Sequence, residues 1–189
     1  MWLFASSLAF ASDPRFGIRL GYGASSVTKS GIIRSDSPGA FSFYFEYPFN
    51  SSVTISGEYK RSLNLSPFES AISFVELVTK YFFFVPMPQK MAKQEDAPKS
   101  FFVQRNISPY VGFGVGYAQS SFASKFDTIL GDLWPESNAV GLGISAKVGA
   151  EYPMWNNIGL TSEFNYGMTI LGNGSFSWMH IVFGTYFYF

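Results

Sequence analysis

From Val140 to Glu151 the chain alternates without a break. Val140, Leu142, Ile144, Ala146, Val148 and Ala150 occupy one phase, and Gly141, Gly143, Ser145, Lys147, Gly149 and Glu151 the other. A two-residue period separates such sets onto opposite faces of an extended strand. The same period recurs elsewhere. In residues 16–25, Phe16, Ile18, Leu20 and Tyr22 oppose Gly17, Arg19, Gly21 and Gly23; further on, Phe41, Phe43, Phe45 and Tyr47 oppose Ser42, Tyr44 and Glu46. Val53, Ile55, Gly57 and Tyr59 then oppose Thr54, Ser56, Glu58 and Lys60. Residues 71–84 carry apolar side chains on both phases but keep Glu76 and Lys80 on one. Residues 109–119 alternate Gly112, Gly114 and Gly116 with bulky side chains, and Ile158, Leu160, Phe164 and Tyr166 oppose Gly159, Thr161, Glu163 and Asn165. Residues 176–189 supply the eighth segment. Turn-forming residues at Pro48 and Asn50, at 153–157 and at Gly172-Asn173-Gly174 make successive strands antiparallel neighbours.

None of these segments approaches the roughly 18 consecutive apolar residues that a membrane-spanning helix needs. Yet 20% of the 189 residues are aromatic, 22 of them Phe, and only 14% are charged. A soluble domain of this length ordinarily carries more charge. Apolar surface delivered in short alternating pieces suits a closed barrel in lipid, where the ladder satisfies every backbone N–H and C=O. The length suffices for one small barrel. Zero formal net charge removes a sequence-wide attraction to nucleic acid, and the absence of cysteine removes disulfides and thiolate metal sites.

The polar phases collect Arg19, Glu46, Glu58, Lys60, Glu76, Lys80, Lys147, Glu151, Glu163 and His180. In a soluble barrel these charges would lie outside a greasy core; in a membrane barrel they line the lumen. Phe and Tyr concentrated at strand ends, where interfacial girdles form, favour lipid outside. The charges must then pair with one another, because an isolated charge in a narrow lumen is costly.

An internal repeat supports a regular meander. Glu46-Tyr47-Pro48 recurs as Glu151-Tyr152-Pro153, and at the same offset Ile55 matches Leu160, Glu58 matches Glu163 and Tyr59 matches Phe164. A hairpin centred on Trp155 would set Lys147 directly opposite Glu163.

At the N-terminus an apolar stretch ends in Ala9-Phe10-Ala11 before Ser12-Asp13-Pro14, the pattern of a signal peptide cleaved after Ala11 whose start lies further upstream. Residues 12–189 are then the barrel domain. The polar stretch 85–106 reads as a loop, and so does 120–138, with a short helical turn near 127–133.

The segments Pro109-Tyr110-Val111-Gly112-Phe113-Gly114-Val115-Gly116-Tyr117, Gly149-Ala150-Glu151-Tyr152 and Leu160-Thr161-Ser162-Glu163-Phe164-Asn165-Tyr166 resemble the small bacterial outer-membrane barrels of the OmpA, OmpX and opacity type. The likeness covers about residues 14–189. Gly184-Thr185-Tyr186-Phe187-Tyr188-Phe189 resembles that family's assembly signal, with Gly184, Phe187 and Phe189 at the recognised places. The resemblance implies an all-β, eight-stranded antiparallel up-and-down transmembrane barrel in the outer membrane, in contact with lipid and, during assembly, with the insertion machinery. Loops around 26–39, 61–68 and 120–138 would meet the environment, an extracellular ligand or a host surface; residues 85–106 would be periplasmic.

Little catalytic chemistry is legible. His180 is the only histidine, so a hydrolase triad would need it with Ser175 or Ser177 and Glu163, and no nucleophile signature accompanies them. Lumen hydrogen bonding accounts for His180, and salt bridging accounts for Glu58 and Glu163. No cofactor or metal is expected. The function expected is a structural or surface-interaction role without enzymatic activity; the alternative is a narrow pore or passage for small or hydrophobic solutes.

Overall fold

A computed structural model describes residues 14–29, 32–36, 39–50, 52–63, 69–83, 107–123, 137–154, 158–171 and 174–189. The leader read at 1–11, the 85–106 loop and the helical turn near 127–133 lie outside them. The described residues form strands β1 (Arg15–Lys29), β2 (Ile32–Asp36), β3 (Gly39–Pro48), β4 (Val53–Leu63), β5 (Glu69–Phe82), β6 (Ser108–Ala123), β7 (Ser137–Pro153), β8 (Ile158–Leu171) and β9 (Gly174–Tyr188). Each pairs antiparallel with its neighbour, and β1 closes the sheet against β9.

One edge of β1 pairs with β9 along its whole length; the other pairs first with β3 and then with β2. β2 and β3 are thus one stave in two pieces, and the wall has eight staves. Directly opposed residues lead around it from Ile18 through Phe43, Tyr59, Val75, Tyr117, Leu142, Ile170 and Ser175 to Thr28, ten residues beyond the start. An even stagger is required, since an odd one would turn the inner face outward at the seam. Eight strands with this stagger tilt by about 40° and enclose a cylinder of radius on the order of 8 Å, room for the barrel's own side chains and little else.

The apolar phase faces out. Leu20 and Phe183 are each 63% exposed, and Phe45, Leu77, Phe113, Ile144, Val148 and Ile181 are exposed with them, whereas Arg15 is 1% and Arg19 0% exposed. Lipid therefore lies outside and the charges inside, as the girdle argument required. At the turn end the outer band finishes in Tyr47, Phe49, Tyr81, Phe83 and Phe189, all exposed.

Strands of 14 to 17 residues, such as β5, β7 and β8, exceed the roughly 9–11 that cross a bilayer. The surplus lies at the end away from Pro14 and Phe189. There the structure corrects three loop assignments. Residues 26–29 and 32–36 form a hairpin inside the stretch read as loop 26–39, β4 stays paired up to Leu63 inside the stretch read as 61–68, and β6 and β7 pair up to Phe122 and Ser137 inside the stretch read as 120–138.

Inside, the small residues of the polar phase have a specific use. Gly17, Gly149, Gly159 and Gly167 lie directly across the ladder from Tyr44, Tyr110, Tyr186 and Trp178. A Cβ on any of these glycines would overlap the facing ring. The rings lie over the glycines and fill the lumen.

Candidate functional site

The polar phases of all staves converge on a lumen in which cations and carboxylates alternate. At the level nearest the turns, Arg15 on β1 binds Glu46 of β3 and Glu151 of β7. Lys80 of β5 completes the group, 2.5 Å from Glu46 and 3.4 Å from Glu151. The Arg15 guanidinium also lies 5.3 Å from the Tyr186 ring and 5.5 Å from the Phe82 ring.

Above this group sits a second one. Arg19 bonds Glu58 at 2.8 Å and lies 3.2 Å from Glu163. Lys147 binds Glu58 and sits 2.6 Å from Glu76, whose other oxygen accepts from the Ser145 hydroxyl at 2.5 Å. Lys60 reaches Glu76 at 2.7 Å. Tyr44 and Tyr110 lie between the two groups. Arg19 is 3.9 Å above the Tyr44 ring, Lys80 is 4.7 Å from both rings, and the Tyr110 hydroxyl donates to Glu163 at 2.7 Å.

Towards the loop end the lumen becomes apolar. The Asn165 side-chain oxygen Oδ1 accepts from the Trp178 indole N–H at 3.0 Å, and Trp178 packs with Ile72, Phe74, Ala118 and Phe176. Phe74 meets its ring edge-on at 5.0 Å, and Phe176 stacks on it at 5.5 Å.

All ten residues of the expected lumen network face inward. His180 is buried among them, opposite Asn165 and Gly23 on the flanking strands, and its Nε2 has no hydrogen-bond partner among the described residues, so the lumen hydrogen bond expected for it is not made at that nitrogen. Ser175 and Ser177 fall on the outer phase of β9, facing away from it. The Ser–His–Glu combination is not assembled, and Glu163 is held by Arg19, Lys147 and Tyr110.

Arg15 was absent from the expected network, although it shares a phase with Gly17 and Arg19. Including it balances the lumen: Arg15, Arg19, Lys60, Lys80 and Lys147 against Glu46, Glu58, Glu76, Glu151 and Glu163, five of each sign among the described residues. The expected Lys147–Glu163 pairing needs correction. Lys147 stands opposite Asn165, while Glu163 stands opposite Gly149, a register two residues away from a hairpin centred on Trp155. The two still share the lumen face at 3.9 Å, but Glu58 and Glu76 are closer to Lys147.

Gly184, Phe187 and Phe189 share the last stave. A Cβ on Gly184 would strike the Ile18 carbonyl, so the seam between β9 and β1 requires glycine there. Phe187 pairs with Phe16 and Ile158 at the turn end, and Phe189 is exposed on the outer face.

Residues 1–187 match the family model of the outer membrane protein beta-barrel domain. The chain belongs to this outer-membrane β-barrel family. As a member, it resides in the bacterial outer membrane. Among solved structures it resembles Neisserial surface protein A, at 14% identity and TM-score 0.60, covering 92% of this chain and 97% of that one. It also resembles the N-terminal barrel domain of Pseudomonas aeruginosa OprF, at 13% identity and TM-score 0.60, covering 95% and 99%. At these identities the likeness is one of fold. No curated protein sequence matches the chain significantly.

Proposed function

We propose that this outer-membrane barrel is a closed scaffold that acts at the cell surface through its loop end, in a structural or surface-interaction role, rather than by conducting solutes or by catalysis. The observation that carries the reading is the filled lumen. Five cations and five carboxylates bond across it, and Trp178, Phe74, Phe176 and Ile72 close it towards the loops. A passage would have to separate pairs that hold one another in a confined space, at several kcal/mol for each charge left alone. His180 inside the lumen, away from Ser175 and Ser177, supports a non-enzymatic role.

The wall extends past the bilayer only at the end that carries the 30–31, 64–68, 124–136 and 172–173 connections. Long extensions face the exterior in barrels of this class, and the opposite end meets the periplasm. Lipid of the outer membrane contacts the wall, the insertion machinery takes up the Gly184, Phe187 and Phe189 stave, and an extracellular ligand or host surface meets the loop end.

The chain has no cysteine, so single-cysteine variants test the orientation cleanly. Trp134→Cys should react with a membrane-impermeant maleimide on intact cells, and Lys93→Cys only after the outer membrane is opened. The reverse pattern would overturn the reading.

A further inference from the structure

Every charged side chain described in the barrel points into the lumen except one. Arg61 is on the outer face of β4 and exposed. It stands directly opposite Phe41 on β3 and Ser73 on β5. One outward position below it is Tyr59, whose ring stacks on Phe43 at 5.0 Å and whose hydroxyl is 3.2 Å from the Ser73 hydroxyl. Below these lie Phe45, Val75 and Leu77, exposed to the acyl chains. Arg61, Ser73 and Tyr59 thus set one cation and two hydroxyls at neighbouring outward positions, above the exposed apolar side chains of these three staves.

We propose that Arg61, Ser73 and Tyr59 form a binding site for a phosphate carried on a lipid headgroup of the outer leaflet. A planar guanidinium offers two parallel N–H donors to a phosphate. Of the two hydroxyls, one donates to the other, which leaves one O–H free to donate to the same anion. Phe43, Phe45 and Val75 below provide the surface along which the lipid's chains would lie, so headgroup and tail are met in the order in which a leaflet presents them. A free anion would use only the first half of this site; a phospholipid or phosphorylated glycolipid uses both. The outer-leaflet placement rests on the orientation proposed above.

The test is binding of bisphosphorylated lipid A, and of the same lipid dephosphorylated, to the purified barrel in neutral detergent micelles. The parent should bind the phosphorylated lipid more tightly, and Arg61→Glu should weaken that binding by about tenfold or more and erase the preference. Arg61→Lys should retain part of it, as a charge without the planar fork. Arg61→Gln, which introduces no repulsion, should also lose the preference. Heat-modifiable gel mobility identifies folded variants. Equal binding of the two lipids by the parent, an undiminished preference in Arg61→Glu or Arg61→Gln, or displacement of the lipid by excess inorganic phosphate would overturn the proposal. The micelle assay is independent of which end of the barrel faces out. A reversed cysteine-labelling pattern would overturn the outer-leaflet placement alone, whatever the binding result.

Discussion

Glu46 and Glu151 occupy matching places in the two sequence repeats, face each other across the lumen, and share the same two cations, Arg15 and Lys80. The next matched pair, Glu58 and Glu163, behaves likewise with Arg19 and Lys147. The repeat is therefore also a device for placing carboxylates on opposite walls around a common cation. Removing Arg15 leaves two buried carboxylates short of a partner. Arg15→Ala should cost about 3–5 kcal/mol of stability, measured by urea unfolding in lipid vesicles. Adding Glu151→Gln should return part of the loss, and a single variant that unfolds like the parent would contradict the assignment.

The register of β7 and β8 makes a second prediction about charge placement. Exchanging Lys147 and Glu163 for one another would restore a simple cross-strand pair, but here it should not rescue stability. Lys147→Glu puts a third carboxylate beside Glu58 and Glu76, and Glu163→Lys sets a lysine against Arg19. The double variant should stay at least about 2 kcal/mol below the parent. Full recovery in the same unfolding assay would mean that the two residues form an isolated pair.

Glycines inside and outside the barrel should respond oppositely to an added methyl group. Gly159→Ala drives a Cβ into the Tyr186 ring and should lower the yield of heat-modifiable protein. On the outer face nothing lies within 4 Å of a Cβ at Gly57, so Gly57→Ala should be neutral or stabilise by about 0.4–1 kcal/mol. Equal effects at the two positions would show that the lumen rings are not packed over their glycines.

Within the bilayer the strand faces were legible because lipid on one side and charge on the other give each strand an unambiguous alternation. Arg15 escapes the sequence pattern because the alternating run begins at the apolar Phe16, although the phase of Gly17 and Arg19 points back to it. In residues 25–29 and 32–36 polar side chains occur on both phases, so the alternation disappears while the ladder continues. That is why 25–29 and 32–36 looked like a loop. The hairpin between β7 and β8 was misjudged by two residues because turn-forming side chains between Pro153 and Asn157 mark where a turn occurs without fixing its register. The inward rings of Tyr110 and Tyr186 carried no signal of polarity; the glycines opposite them did.

Single-channel recording in planar bilayers tests the closed lumen most directly. The purified barrel should insert without conductance steps, because the balanced set of Arg15, Arg19, Lys60, Lys80 and Lys147 with its five carboxylates stays paired under Trp178 and Phe74. Stable, reproducible open levels from the unaltered protein would contradict a closed scaffold and identify the lumen as a pathway.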